Sequence, residues 1–174
     1  MISDQDRYAL SHDRLVSLLD HDVSRGEFTW KVDRSNYIKA GTRAGTKSKE
    51  GYRVIRIDGV NYMEHRLIWF YVHGEWPVSE IDHRDCDRSD SGIGKLRPAT
   101  RRQNAHNRKP RVGTVSGRKG VTAQNGEGRT NRWRARIKVN GKYMHLGYFS
   151  TSEEANAAYA VAAAKYFGEY ARAS

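Results

Sequence analysis

A chain of 174 residues can form one ordinary domain or two small ones, and its 37% of hydrophobic residues predicts small cores. The 31 Lys and Arg outnumber the 20 Asp and Glu, which gives a net charge of +11 and indicates a polyanionic partner. A single cysteine, Cys86, excludes an internal disulfide and a multi-cysteine zinc site. No secretory signal and no apolar run of about 20 residues are found, so we expect an intracellular, cytoplasmic protein.

The first fifty residues carry patterns of short elements. Residues 6–20 have apolar side chains at helical spacing, which predicts a modest helix. Residues 26–32 alternate between polar and apolar side chains and predict a short strand. The stretch 39–51 contains three glycines among small and basic residues, which predicts a loop.

A hairpin and a helix are predicted next. Asp58-Gly59 lies between two strand-like runs and predicts a β-hairpin, because a type I′ turn requires positive φ at both central residues. The following helix is expected to end at Gly74, a typical C-terminal cap, with Pro77 beyond it. One face of this helix is expected to carry Leu67, Ile68, Tyr71 and Val72.

The stretch IDHRDC, residues 81–86, has two interpretations. A run of ionisable side chains is usually a solvated turn, and the alternative is a metal site with a base beside it. Hydrolysis of a phosphodiester requires a base that activates water, a divalent cation that stabilises developing charge, and groups that hold the backbone. His83 is a suitable base and Asp82 a ligand for a hard cation. Asn104, on a short helix predicted over 99–108, is a candidate neutral oxygen ligand.

Positive charge is concentrated between Arg101 and Lys142, where thirteen Lys or Arg stand against one acid, Glu127. This distribution favours a nucleic-acid partner over a basic protein that is merely soluble. Within it, residues 108–120 combine a proline and three glycines with several basic residues and few apolar ones. That composition predicts a linker between two domains.

The stretch RWRARIKV, residues 132–139, alternates strictly and predicts a strand with one basic and one apolar face. Asn140-Gly141 then predicts a two-residue hairpin that leads into a second strand. The basic face is expected to carry Arg132, Arg134, Arg136, Lys138, Tyr143 and His145. The apolar face is expected to carry Trp133, Ala135, Ile137, Val139, Met144 and Leu146.

A helix is predicted directly after this hairpin, where it would cover the apolar face. Ser150 and Glu153 fit a capping box at its start, and Gly168 is expected to end it. Its apolar stripe is expected to consist of Ala155, Ala158, Tyr159, Ala162 and Tyr166. The pattern therefore predicts a small sheet with one face on a helix and one face bare, basic and aromatic.

A bare face of like charges is either a solvated edge sheet or a surface that binds a polyanion. Residues 120–168 resemble the three-stranded DNA-binding domain of the plant ethylene-response-factor type, which also occurs in phage and mobile-element endonucleases. The resemblance depends on the Gly120-Val121 start, the Trp133 strand, the motif LGxF at 146–149 and the Glu-Glu-Ala helix start. It implies that the sheet lies in the major groove of double-stranded DNA. The DNA-facing candidates by position are Lys119, Thr122, Arg134, Arg136, Lys138, Tyr143 and His145.

Residues 62–107 contain, in order, the motifs HRL (65–67), IDH (81–83), LRxAT (96–100), QN (103–104) and Asn107. This series resembles the homing branch of the HNH endonucleases. The resemblance implies a ββα-metal core with His83 as the general base and with Asp82 and Asn104 as ligands of a divalent metal, Mg2+ or alternatively Mn2+. It also implies that Arg97 and His65 contact the phosphate or support the site.

The chain departs from the HNH pattern at three places, one of which is Ser91 in place of an asparagine one position after Asp90. Lys95 stands where the family has its middle asparagine, which braces the loop that holds the base, so Lys95→Asn is expected to raise cleavage. Asp85-Cys86-Asp87 replaces the usual Asp-Gly-Asn. The metal and base positions themselves are retained.

Together these features predict an α+β protein with an HNH nuclease domain over 1–107, a linker over 108–117 and an ethylene-response-factor-type domain over 118–174. The expected function is metal-dependent DNA cleavage by a phage or mobile-element endonuclease. One site per chain implies one strand cut per binding event, and a double-strand break would need a homodimer on DNA or a second event. The alternatives are a non-catalytic DNA-binding regulator with a decayed HNH fold and, more distantly, an RNA-binding protein.

Overall fold

The computed structural model describes residues 9–23, 25–110, 113–124 and 133–172, which form α-helices and small antiparallel sheets. The chain divides between Thr100 and Arg101 into two units, each with buried apolar residues of its own. This mixture of helices and antiparallel sheets agrees with the predicted α+β class. In the described part of the chain, no helix is long and apolar enough to cross a bilayer.

The first unit consists of α1 (His12–Leu18), β1 (Leu19–Asp22), β2 (Glu27–Trp30), β3 (Thr46–Lys47), β4 (Arg53–Ile57), β5 (Val60–Met63), α2 (Glu64–His73), β6 (Glu80–His83) and β7 (Leu96–Ala99). Its sheets are β1-β2, β3-β4-β5 and β6-β7. The predicted strand within 26–32 is present as β2, and the predicted loop over 39–51 contains only the two-residue β3. Leu15, Phe28 and Leu67 are completely buried in one apolar core.

The first helix is shorter than its sequence pattern predicted. It begins after Ser11, whose side chain accepts a hydrogen bond from the backbone N–H of Arg14, and it ends at Leu18. Leu19 is extended and pairs with Trp30 across the β1-β2 sheet. The chain leaves the helix here because strand pairing buries Leu19 completely. The part of the prediction over 6–8 lies outside the described residues.

The hairpin predicted at Asp58-Gly59 is confirmed. Both residues have positive φ, 47° and 85°, and Ile57 pairs with Val60 across the turn. The helix that follows, α2, ends as predicted at Gly74, which takes the left-handed conformation with φ 74°. The hairpin turn and the C-terminus of α2 thus lie where the turn and cap residues predicted them.

The buried face of α2 differs from the predicted one. Leu67 and Ile68 are completely buried as expected, but Val72 is 45% exposed. Phe70 is buried instead, with its ring stacked on Trp76 at 4.3 Å. The prediction failed at Val72 because Trp76 returns over the helix after its C-terminus and covers the side that Phe70 occupies.

The second unit consists of α3 (Arg101–Asn107), β8 (Val121–Ala123), β9 (Trp133–Val139), β10 (Lys142–Phe149) and α4 (Ser152–Phe167). Its three strands form an antiparallel sheet in the order β10-β9-β8, and α4 packs on it. The turn at Asn140-Gly141 has the predicted register, with Lys142 opposite Val139 and His145 opposite Arg136. A β-bulge between His145 and Gly147 then shifts the register by one residue.

Helix α4 begins one residue later than predicted. Its N-cap is Thr151, whose side chain accepts from the N–H of Glu154 while the Glu154 carboxylate accepts from the N–H of Thr151. The capping box is therefore Thr151/Glu154 instead of Ser150/Glu153. Both pairs have the required spacing, so the pattern alone did not distinguish them. Gly168 ends the helix as expected.

The apolar stripe of α4 is largely as predicted. Ala155, Tyr159 and Ala162 are buried, and Ala163 joins them. Tyr166 is 39% exposed, so its assignment to the stripe was wrong, and the neighbouring Phe167 packs on the core. Phe167 packs on the core in place of Tyr166 because its ring stacks on an aromatic side chain from α3.

That partner is His106. Its ring lies parallel to the Phe167 ring, with centroids 3.7 Å apart and an interplanar angle of 8°. The ammonium of Lys119 donates to the His106 carbonyl, and Arg102 donates to the Asn140 side chain at 3.1 Å. Helix α3 is therefore built into the second unit, although the sequence placed it in the first domain. The functional boundary at residue 107 stays a prediction.

Candidate functional site

The antiparallel pair β6-β7 places the central acid and base of the candidate site. Asp82 lies opposite Arg97, and His83 lies opposite Leu96. Nε and Nη2 of Arg97 both donate to Oδ2 of Asp82, at 2.9 and 2.8 Å. Because Asp82, His83 and Arg97 are each 5% exposed or less, these groups lie inside the protein rather than in a solvated turn.

Two further aromatic rings surround His83. The His65 ring is 5.0 Å from it in an edge-on arrangement, and the Tyr52 ring lies 5.4 Å from His65 and 6.1 Å from His83. Tyr52 precedes β4, whereas His65 is in the first turn of α2. The hairpin, the helix and β6 thus bring together three side chains that are far apart in the sequence. We call these three residues the ring cluster.

Burial keeps the two imidazoles of the ring cluster neutral. Desolvation of the charged form, helped by His83 and Arg66, lowers the pKa of His65 to about 3. Desolvation also lowers the pKa of His83, against the opposing effect of the Asp85, Asp82 and Asp87 carboxylates. A neutral imidazole can accept a proton, so His83 has the protonation state that a general base needs near neutral pH.

The loop between β6 and β7 is fixed by hydrogen bonds and ion pairs. The N–H of Cys86 donates to the carbonyl of His83, and the N–H of Arg84 donates to the carbonyl of Lys95, both at 2.9 Å. Cys86 has φ 58°, a left-handed conformation that favours glycine, which is the residue usual at this place in the family the sequence resembles. The backbone thus keeps a glycine-like turn without the glycine.

Lys95 braces this loop by charge. Its ammonium contacts the carboxylate of Asp90 directly and lies 3.6 Å from that of Asp85. The hydrogen bond that Lys95 donates to Asp90 raises the pKa of Lys95 and lowers the pKa of Asp90. Lys95, at the position where the family has its middle asparagine, therefore holds the loop after His83 through ion pairs. An asparagine would hold it through neutral hydrogen bonds.

Arg88, in the same loop, was missed by sequence reasoning. Its guanidinium carbon lies 4.6 Å above the centre of the Tyr52 ring, and Nη1 donates to the Glu50 carbonyl at 2.8 Å. The side chain is thereby directed to the edge of the ring cluster. A run of charged residues gave no signal that distinguished Arg88 from its neighbours.

The remaining expected ligand, Asn104, lies on α3 in the second unit, whereas Asp82 and His83 lie in the first. Across the described ranges of the chain, no group of three or more His, Cys, Asp or Glu is clustered as a metal site. The shared metal site of Asp82 and Asn104 therefore stays a prediction. Arg97 was expected either to contact the phosphate or to support the site. Because Arg97 is buried against Asp82, the structure favours support of the site.

The basic face of the C-terminal sheet has the predicted composition where it is described. Arg134, Arg136 and Lys138 follow one another on one side of β9, and the apolar residues between them face α4. Tyr143 lies opposite Lys138, and Arg136 stacks over the Tyr143 ring at 4.5 Å. Arg132 lies outside the described residues.

Of two other residues that were expected to face DNA, Thr122 lies on the basic face and Lys119 lies outside the strands. Thr122 is opposite Arg134 on β8, and so belongs to the basic face. Lys119 precedes the strand, and its ammonium donates to the His106 carbonyl within the second unit. Its contact with DNA stays a prediction.

The β-bulge adds a residue to this face that the sequence did not indicate. Because the register shifts between His145 and Gly147, Tyr148 comes to lie opposite Arg134. Its ring is 4.7 Å from that of His145, and the residue is 50% exposed. Gly147, with φ 139°, marks the irregularity and was the only local signal for it. The face thus presents Tyr143, His145 and Tyr148 beside its basic residues.

Comparison with known families identifies one segment. Residues 62–106 match the model of the HNH endonuclease family, and this match supports an HNH nuclease with DNA as its substrate. The matched segment runs from β5 to α3 and contains Asp82, His83 and Asn104. A search of curated proteins and a search of solved structures each gave no match.

Proposed function

We propose that the chain is a metal-dependent DNA endonuclease that hydrolyses phosphodiester bonds, with His83 as the general base. The observation that supports this best is the buried imidazole of His83, next to Asp82 and edge-on to His65, inside the segment that matches the HNH family. Hydrolysis of DNA needs a group that removes a proton from water at neutral pH, and a histidine with a lowered pKa provides one.

Each neighbour of His83 has a role in this mechanism. His65 and Tyr52 surround the imidazole and exclude water from its sides, while the loop braced by Lys95 holds its backbone carbonyl. His83 takes a proton from the attacking water as the new bond to phosphorus forms, while the bond from phosphorus to the leaving sugar oxygen breaks and that oxygen takes a proton from solvent. Arg97 holds the Asp82 carboxylate in a fixed orientation through two hydrogen bonds.

The donor set fits a hard divalent cation such as Mg2+. Asp82 would contribute a carboxylate oxygen and Asn104 an amide oxygen, and Mg2+ is commonly held by one or two protein oxygens together with water and substrate phosphate. When bound, the cation would neutralise the negative charge that develops on the phosphate and the leaving oxygen. Mn2+ has the same ligand preference and is the alternative.

The C-terminal sheet is proposed to bind double-stranded DNA in the manner of the ethylene-response-factor-type domains it resembles. Its described basic face carries two arginines and a lysine on β9, and these groups suit phosphates and guanine edges. Arg136 and Lys138 lie over the ring of Tyr143, so cations occupy that aromatic face, while the rings of His145 and Tyr148 contact each other. This arrangement favours a duplex over single-stranded RNA.

A supercoiled-plasmid assay tests the proposal. With Mg2+ the full chain should convert supercoiled DNA to the nicked form, and EDTA should prevent this. His83→Ala should abolish nicking and leave DNA affinity nearly unchanged, because a base is not a positioning group. His73→Ala, which changes an exposed histidine on α2, is the matched control and should nick like the parent.

Two outcomes would contradict the proposal in different ways. Nicking by His83→Ala at the parent rate would remove His83 as the base. A parent protein that binds DNA but does not cut it with either Mg2+ or Mn2+ would be a non-catalytic DNA-binding protein.

A further inference from the structure

The position of Arg88 carries an inference about how the substrate is held. Its side chain is exposed, yet two contacts fix it: the face of Tyr52 and the carbonyl of Glu50. Because Tyr52 in turn packs against His65 and His83, the guanidinium is held at the edge of the ring cluster. An exposed arginine normally loses rotamer entropy when it is fixed, so this restraint has a cost that a functional contact would offset.

The charges around the ring cluster make Arg88 distinct. Arg97 is paired with Asp82, and Lys95 is paired with Asp85 and Asp90, so these cations are already neutralised. Arg88 forms no ion pair with any acid in the described ranges. The charge of Arg88 is the smallest of the causes that lower the pKa of Glu50. Its positive charge is therefore available to an anion that approaches His83.

We infer that Arg88 binds the phosphodiester that is cleaved, donating to its non-bridging oxygens while His83 activates water. The inference rests on the proposed function and deepens it, because it names the group that receives the substrate's charge. A guanidinium can donate two parallel hydrogen bonds to phosphate oxygens, which fixes orientation as well as charge. Because Nη1 donates to the Glu50 carbonyl, Nε and Nη2 are the groups that would donate to the phosphate.

Steady-state nicking by the full chain, with Mg2+ and increasing plasmid concentration, tests the role. Arg88→Ala should lower kcat by about 10²–10³-fold, as found for the loss of one donor to a reacting group. KM should change little, because the sheet domain supplies most DNA affinity. Arg88→Lys keeps the charge without the paired donors and should recover only part of the loss. Arg56→Ala, an exposed arginine on β4, is the matched control and should behave like the parent.

A small substrate separates contact with the reacting phosphate from general DNA binding. Bis(p-nitrophenyl) phosphate contains a phosphodiester but no duplex, so Arg88→Ala should slow its hydrolysis by a similar factor, whereas the control Arg56→Ala should not. Tyr52→Leu removes the ring face on which Arg88 lies, so it should also slow this hydrolysis. Its loss should not add to that of Arg88→Ala in the double variant.

The inference is overturned if Arg88→Ala cuts plasmid with the parent kcat, or if its defect disappears at high DNA concentration. It is also overturned if the defect is absent with the small substrate. These outcomes differ from failure of the proposed function, in which the parent itself does not cut or His83→Ala cuts normally.

Discussion

Arg97 and Asp82 form a buried ion pair in which two N–H groups of the guanidinium, Nε and Nη2, converge on one carboxylate oxygen. Both side chains are 5% exposed. The pair lies at a directly opposed position of β6-β7, so the ladder and the side chains fix each other. A residue expected to touch the phosphate or support the site is thus tied to the expected metal ligand.

Arg97→Ala should destabilise the protein strongly. Removing one partner of a buried pair leaves an uncompensated charge, here that of Asp82, at a cost of about 3–5 kcal/mol. The free energy of unfolding from urea titration measures this. Arg56→Ala, which removes an exposed arginine, should stay within about 0.5 kcal/mol of the parent. A similar small change for Arg97→Ala would contradict the buried pair.

Stability should fall with acidification because His65 is held neutral. Its pKa is lowered to about 3 in the folded protein, against about 6.5 in the unfolded chain. The unfolded state therefore binds a proton that the folded state does not, between pH 6.5 and 3. The stabilisation present above pH 6.5 is lost across that window, by up to about 1.4 kcal/mol per pH unit for this proton. Urea titrations at several pH values measure the slope.

His65→Phe keeps a ring at this position and removes the titration, so it should reduce the slope. Some slope should remain, since burial also lowers the pKa of His21 and of His83. An unchanged slope in His65→Phe would show that His65 is protonated in the folded protein.

Lys95→Met should lower the rate of cleavage. The variant keeps much of the aliphatic side chain but leaves the carboxylates of Asp85 and Asp90 without their shared cation, so the loop after His83 loses its brace. Lys95→Asn should also lower cleavage, because asparagine cannot form either ion pair. This reverses the rise expected from the sequence, where the bracing contacts of Lys95 were not visible. Plasmid nicking compares the variants, and a faster Lys95→Asn would restore the original expectation.

Arg136→Ala and Ile137→Ala should separate binding from folding. Arg136 lies on the basic face over Tyr143, whereas Ile137 is 1% exposed and packs beneath α4. Arg136→Ala should weaken specific DNA binding by about 1–3 kcal/mol with little effect on the melting temperature. Ile137→Ala should cost about 2–5 kcal/mol of stability through a cavity. DNA titrations across salt concentrations and thermal melts measure the two effects, and exchanged results would mean that the two faces are assigned the wrong way round.

Features fixed by local chemistry were predicted well. The turns at Asp58-Gly59 and Asn140-Gly141 have residues that readily take positive φ, and a two-residue turn determines the register of both strands. The cap at Gly74 follows from the same property. These predictions needed no knowledge of distant parts of the chain.

Features that depend on contacts between distant residues were not predictable in this way. Phe70 replaces Val72 in the core because of Trp76, and Tyr148 joins the basic face because of a bulge whose position the alternation does not encode. The contact of Arg88 with Tyr52 joins two loops separated by a hairpin and a helix. The expected roles of Asp82, His83 and Asn104 follow from the resemblance to a family, because spacing alone leaves a solvated turn as an alternative.

The stack of His106 on Phe167 has a consequence for chimeric proteins that exchange the C-terminal sheet. A fusion joined after residue 107 would separate the two rings and deprive α3 of its aromatic partner and of the Lys119 contact. A fusion joined between Thr100 and Arg101 would transfer α3 together with the sheet on which it packs. Asn104 would then come from the protein that supplies the sheet, so the recipient would receive a foreign asparagine at a position proposed to bind its metal.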